Sequence, residues 1–223
     1  MAKPLDDHFS QSLREQGVIP VIVLEQVADA VPLAEALSAG DLSVLEITLR
    51  SSAGLKCIET VSKYDRWLVG AGTVLNREDA RRAIDSGAQF IVSPGLDEGT
   101  VVYCQDRNIP IVPGVCTPSE AQRAINMGLQ LVKFFPAEAF GGVATLKALK
   151  GPFPNLKFVP TGGIGLENLE AYLEMSNVLA VGGSWMVSRA HLEAKNFSQI
   201  TALAHFARER VKSIRHEGIG SLG

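Results

Sequence analysis

This chain of 223 residues has little that would tie it to nucleic acid, a membrane or a metal. Its formal net charge is −3, so no basic stripe is available to a phosphodiester backbone and no nucleic-acid partner is expected. No apolar stretch approaches the roughly 20 residues that span a bilayer, and no membrane partner is expected. Asp6, Asp7 and His8 stand where a signal peptide would have a basic start and an apolar run. Cys57, Cys104 and Cys116 are odd in number and lack CxxC spacing, which suits a reducing compartment, so a cytoplasmic location is expected. His8, His191, His205 and His216 lie outside every strand-like run and form no pair at ligand spacing, so no metal is expected. The first strand-like run is followed by Leu24-Glu25-Gln26 rather than a Gly-rich dinucleotide fingerprint, and no P-loop with its lysine occurs. No linker rich in Gly, Pro or Ser divides the chain, so residues 1–223 are expected to form one domain.

What is present is a recurring unit. Apolar residues make up 46% of the chain, enough for a substantial core. Strand-like runs are expected near Val18–Val23, Val44–Leu49, Trp67–Gly70, Phe90–Val92, Ile109–Val112, Leu131–Phe135, Phe158–Pro160 and Val178–Val181. They begin about 20–27 residues apart, the length of a strand–helix unit. Thr117-Pro118-Ser119-Glu120 carries the marks of a helix start: a capping threonine, a proline at the first position and a glutamate reaching back. Asn76 opens another helix whose inner face is Ala80, Ala83 and Ile84 and whose stop is Gly87. Pro32 fits its helix only if that helix starts late. Residues 5–16 read as an extra helix plugging one end, and residues 198–213 as a closing helix. Eight such units predict an α/β fold, a (β/α)8 TIM barrel with an extra N-terminal helix. A doubly wound open sheet is the alternative.

Within this frame Lys133 is out of place. It lies inside Leu131-Val132-Lys133-Phe134-Phe135-Pro136, otherwise a buried strand, and alternation sets Leu131, Lys133 and Phe135 on one face. An ammonium there loses hydration, which favours the neutral, nucleophilic amine. In Val44-Leu45-Glu46-Ile47-Thr48-Leu49-Arg50 the polar residues Glu46, Thr48 and Arg50 share the face opposite Leu45, Ile47 and Leu49. Helices cover the outside of a barrel, so this polar face is expected to point inward, where Glu46 could pair with Lys133. That pair can be structural, or it can be a nucleophile beside a proton acceptor. Arg50, taken alone, reads as a surface or strand-end salt bridge.

The strand ends carry glycine and hydroxyl residues: Gly70-Ala71-Gly72-Thr73, Ser93-Pro94-Gly95, Pro113-Gly114, Thr161-Gly162-Gly163 and Gly182-Gly183-Ser184. Each one alone is an ordinary turn. The last two occupy the place where barrels hold phosphate, and a short helix expected to begin at Ser184-Trp185 would add its N-terminal dipole. Cys116 reads as a small filler and Trp67 as core packing.

These motifs together resemble the 2-keto-3-deoxy-6-phosphogluconate (KDPG) aldolases, which also handle 4-hydroxy-2-oxoglutarate (KHG). The resemblance runs from about Val18 to Trp185. It rests on Ile19-Pro20-Val21-Ile22, Leu45-Glu46-Ile47-Thr48-Leu49-Arg50, Val69 to Leu75, Ser93-Pro94-Gly95, Val132 to Glu138, Pro160 to Gly163 and Val181 to Trp185. The lysine-centred block is the most specific. The resemblance implies a class I aldolase, a lyase of the Entner–Doudoroff pathway, metal-independent and homotrimeric. It implies Lys133 as the Schiff-base residue and Glu46 as the acid/base. It places Arg50, Thr73, Pro94, Phe135 and Thr161 around the keto acid, and Gly162, Gly163, Gly183 and Ser184 at the phosphate of a small phosphorylated keto acid. Two departures are Gly40-Asp41, where relatives often have two glycines, and Cys116, where they often have serine. Gln16 and Gly17 stand where some relatives carry an arginine, so no such contact is assigned. The rival readings are an aldolase for the 6-phosphogalactonate epimer, a metal-dependent pyruvate aldolase, an isomerase, and a non-catalytic phosphate-ester-binding barrel.

Overall fold

The computed structural model describes residues 7–220. Its strands are β1 (Val18–Ile22), β2 (Val44–Thr48), β3 (Leu68–Gly72), β4 (Phe90–Val92), β5 (Ile111–Val112), β6 (Gly114–Val115), β7 (Leu131–Phe134), β8 (Lys157–Pro160) and β9 (Val181–Gly183). All pairings between them are parallel, as crossover helices require. The order is β5-β4-β3-β2-β1-β9 in one sheet and β6-β7-β8 in the other, so the strands form a curled parallel sheet.

The two sheets meet at two seams. Only Pro113 separates β5 from β6; proline has no N–H for the ladder, yet its carbonyl still accepts from the Lys133 N–H at 2.9 Å. At the other seam, isolated bridges join Phe158 to Val178 and Thr161 to Gly182. Two strands lie elsewhere than expected. The last one is Val181–Gly183 rather than Val178–Val181, with Val178 kept only as a bridge. The fifth starts at Ile111, not Ile109, and continues past the proline.

The helices follow their local signals. Asn76 caps the helix Arg77–Asp85 by accepting from the Asp79 N–H, with Ala80 and Ala83 buried and Gly87 beyond its end at φ +97°. Thr117 and Glu120 close a full capping box on the helix Pro118–Asn126. Pro32 lies in the first turn of the helix Ala30–Ala39, where a missing N–H costs nothing, and a 3-10 turn, Val27–Asp29, precedes it. A helix at Asp7–Gln16 leads into β1, and the helix Phe197–Gly220 ends the described chain. The expected first two residues of the leading helix, 5 and 6, lie outside the described residues.

Apolar side chains separate into two layers. Outward residues such as Leu45, Ile47, Val132 and Phe134 pack under the helices. Inward residues, among them Ile19, Val44, Phe90, Val112, Leu131 and Val159, form a second cluster joined by Phe9 and Leu13 of the leading helix. The Phe9 and Phe90 rings lie 5.1 Å apart. Gln16 ties this end together: its amide donates to the carbonyls of Val18 and Val44 and accepts from the N–H groups of Ser43 and Val44.

Candidate active site

The two-residue pleat that buries Val44 and Leu131 at one end of the curl turns Glu46 and Lys133 inward at the other. Register sets Glu46 beside Val21 and Gly70, and Lys133 beside Gly114 and Val159. Lys133 Nζ stands 3.5 Å from Glu46 Oε1, with side chains 7% and 4% exposed. This pair has been withdrawn from water, a state that is costly unless each member is held or used. Glu46 Oε1 is buried and makes no hydrogen bond, so the carboxylate keeps an acceptor position for a substrate hydroxyl or its proton. Lys133 Nζ also lies 5.2 Å from the centre of the Phe135 ring. The room for Glu46 comes from Gly72: a Cβ there would press within 2.8 Å of the Glu46 Cδ, so any side chain would displace the carboxylate.

Both groups open into a cavity of about 270 Å³. Every residue singled out above as a site residue lines it. Arg50, Thr73 and Pro94 come from the loops after β2, β3 and β4, and Phe135 follows β7. Thr161, Gly162 and Gly163 follow β8, Gly183 ends β9 and Ser184 comes directly after it. Thr73 takes φ +57°, a left-handed conformation uncommon for a β-branched residue and characteristic of functional loops. Gly162 and Gly163 are also left-handed, at φ +102° and +77°, which turns their backbone towards the cavity rim.

Arg50 departs from expectation. The strand ends at Thr48, and Arg50 is an exposed turn residue whose Nε donates to the Thr48 hydroxyl at 3.3 Å. Among the described residues it has no carboxylate partner, so the strand-end salt bridge is not formed. Thr48 is itself buried and donates to the Ile22 carbonyl at 2.8 Å. The helix expected at Ser184-Trp185 is a three-residue 3-10 turn, Trp185–Val187, too short to bring a helix dipole to an anion. Anion binding here would therefore rest on loop N–H groups.

Val21 and Ile164, to which the sequence assigned no role, also line the cavity, as does Gly182 of the Gly182-Gly183-Ser184 run. Val21 was within reach of a sequence reading, because alternation from Ile19 points Val21 inward. Gly182 accommodates a neighbour, since a Cβ there would overlap Thr161.

The thiols lie apart from this chemistry. Burial pushes Cys57 up to about 11 and Cys104 up to about 12. Cys116 is raised by burial and by Glu120, whose carboxylate its thiol faces at 3.4 Å. Trp67 is buried at the start of β3, as expected of core packing. Among the described residues no three His, Cys, Asp or Glu side chains gather as a metal site, and no helix is long and apolar enough to cross a membrane.

A protein-family model described as "Aldolase: KDPG and KHG aldolase" matches residues 9–203. The 2-dehydro-3-deoxy-phosphogluconate aldolase of Treponema pallidum (strain Nichols) is 46% identical over 195 residues, 87% of this chain and 93% of that one. The KHG/KDPG aldolase of Escherichia coli (strain K12) is 45% identical over 196 residues, 87% of this chain and 92% of that one. Among solved structures, KDPG aldolase from Legionella pneumophila, with pyruvate captured at low pH as a covalent carbinolamine intermediate, superposes with a TM-score of 0.86. It is 42% identical, and the match covers 89% of this chain and 97% of that one. This chain belongs to the KDPG and KHG aldolase family.

Proposed function

We propose that this protein is a class I aldolase, a lyase that cleaves 2-dehydro-3-deoxy-6-phosphogluconate to pyruvate and glyceraldehyde 3-phosphate, and 4-hydroxy-2-oxoglutarate to pyruvate and glyoxylate. The observation that carries this reading is the buried Lys133 amine 3.5 Å from a Glu46 oxygen that makes no hydrogen bond, both facing one polar-rimmed cavity. Family membership supports it.

In this mechanism the Lys133 amine, after passing its ammonium proton to Glu46 3.5 Å away, attacks the C2 ketone of the substrate. The carbinolamine loses water to give a protonated imine, a stronger electron sink than the ketone. Glu46, directly or through one water, takes the proton from the C4 hydroxyl. The C3–C4 bond breaks, its electrons pass into the imine, and the aldehyde leaves. The remaining enamine is protonated at C3, and water frees pyruvate and the lysine. Arg50 and the Thr73 and Thr161 hydroxyls hold the carboxylate and orient the ketone, Pro94 and Phe135 pack against the keto acid, and the loops at Gly162-Gly163 and Gly183-Ser184 receive the phosphate. Arg50, which donates to the Thr48 hydroxyl but has no carboxylate partner among the described residues, favours a substrate carboxylate contact over a structural ion pair.

The same proposal includes a single domain forming a complete (β/α)8 barrel, with Asp7–Gln16 as an extra helix plugging the end opposite the site. The two seams and the inward cluster that includes Phe9 and Leu13 support it. A metal-independent homotrimer in the cytoplasm, which the family resemblance implies, completes the reading.

A coupled assay for pyruvate release, run on both aldols with a chelator present, tests the function. Turnover of both is the expected result. Dependence on added divalent cation, or tight phosphate-ester binding without pyruvate release, would refute it. The C4 epimer serves as control: preferential cleavage of the 6-phosphogalactonate compound would reassign the substrate.

A further inference from the structure

Glu138 follows the Lys133 strand and does not line the cavity, yet the loop that does is built on it. The Ala137 N–H donates to the Thr161 carbonyl at 2.8 Å, and the Glu138 N–H to the Gly162 carbonyl at 3.1 Å. One short turn thus clasps the Thr161-Gly162-Gly163 loop from below. The side chain continues the clasp. A Cβ on Gly163 would lie 2.7 Å from both Cβ and Cγ of Glu138, so the stem of this glutamate covers the left-handed glycine closely. Its carboxylate accepts a hydrogen bond from the Tyr172 hydroxyl, on a ring that is fully buried in the helix Leu169–Leu173.

That phenol has no water to turn to, and burial followed by the Glu138 bond raises it above its ordinary range. Gly142 leaves room for the pair: a Cβ there would stand 2.8 Å from both Glu138 Oε1 and the Tyr172 hydroxyl oxygen. On the far side of the loop, Asn168 donates to the Gly163 carbonyl at 3.0 Å and accepts from the Gly165 N–H at 2.9 Å. The loop is therefore held from both flanks. Only one flank depends on an exposed acid anchored to a buried phenol.

We propose that Glu138, fixed by Tyr172, is a positioning residue that holds Gly162 and Gly163 in the geometry their N–H groups need to receive a phosphate, and so sets the preference for phosphorylated over unphosphorylated aldols. This rests on the function proposed above. Neither residue touches the substrate. Their effect falls on the substrate that uses the loop, whereas a general structural role would affect both substrates alike.

The test compares Tyr172→Phe, Glu138→Ala and Glu138→Gln with the parent enzyme on both aldols. Tyr172→Phe and Glu138→Ala are expected to raise KM for the phosphorylated aldol about tenfold, the scale of one lost hydrogen bond to a charged group. The unphosphorylated aldol should stay within about twofold of the parent, on the same principle. Glu138→Gln keeps an acceptor and the covering stem, so it should recover most of the loss. Equal losses on both substrates, or none on either, would overturn the proposal. Hydrogen exchange of the peptide spanning residues 161–166 gives a readout independent of turnover. Faster exchange in Tyr172→Phe is expected, and unchanged exchange contradicts the clasp. If the parent enzyme releases pyruvate from neither aldol, the proposed function fails, and the exchange experiment still decides the clasp.

Discussion

Along β2 the inward side chains are Val44 and then Glu46; along β7 they are Leu131 and then Lys133. Two residues of strand separate an apolar plug from an ion pair. The lower half of the interior gains stability by excluding water, with Phe90 and Leu131 packed in one cluster with Phe9 and Leu13. The upper half excludes water from charges, which costs stability and is offset only in part by their attraction. The pleat is indifferent to this difference; it delivers side chains to the inside, and their chemistry divides folding from function.

The comparison is broken most sharply from the upper half. Glu46→Gln should slow pyruvate release by about 10²–10⁴-fold, as for a lost acid/base. Replacing both members of the pair, Glu46→Leu together with Lys133→Met, removes both charges from the interior. That double variant should be inactive yet at least as resistant to urea as the parent, because replacing a buried pair by apolar groups of similar size is often neutral or stabilising. A large drop in its unfolding midpoint would show that the pair serves the fold. The lower half should respond the other way. Phe90→Ala should cost about 3–5 kcal/mol in denaturant unfolding while the molecules that remain folded keep their kcat. A collapse of kcat at full folding would mean that the two halves are coupled. The smallest effect belongs outside both. Thr117→Ala breaks a capping box on an outer helix and should cost about 1 kcal/mol with no change in turnover, which calibrates the other two.

The features that local physics controls were legible in the chain. A lysine or glutamate two residues beyond a buried apolar one must share its face, and the capping box at Thr117 and Glu120 involves neighbours in sequence. The misplaced features depend on distant partners. Alternation carried β9 back to Val178, but its pairing register is set by β1, where Val18 meets Val181 and Pro20 meets Gly183. Pro113 interrupts β5 and β6 without opening the ladder, because the neighbouring strand still uses its carbonyl. The short helix expected at Ser184-Trp185 does begin there, but as a single 3-10 turn, Trp185–Val187. The clasp between Glu138 and Tyr172 joins residues 34 positions apart, and nothing local to either announces it.

Borohydride reduction in the presence of pyruvate, followed by peptide mass mapping, tests the central claim most directly, that the buried Lys133 amine forms the covalent bond. A pyruvate-derived mass added to the Lys133 peptide, and absent from the other lysine peptides, is the predicted result. An unmodified Lys133 at saturating pyruvate in an enzyme that still cleaves aldols would contradict it.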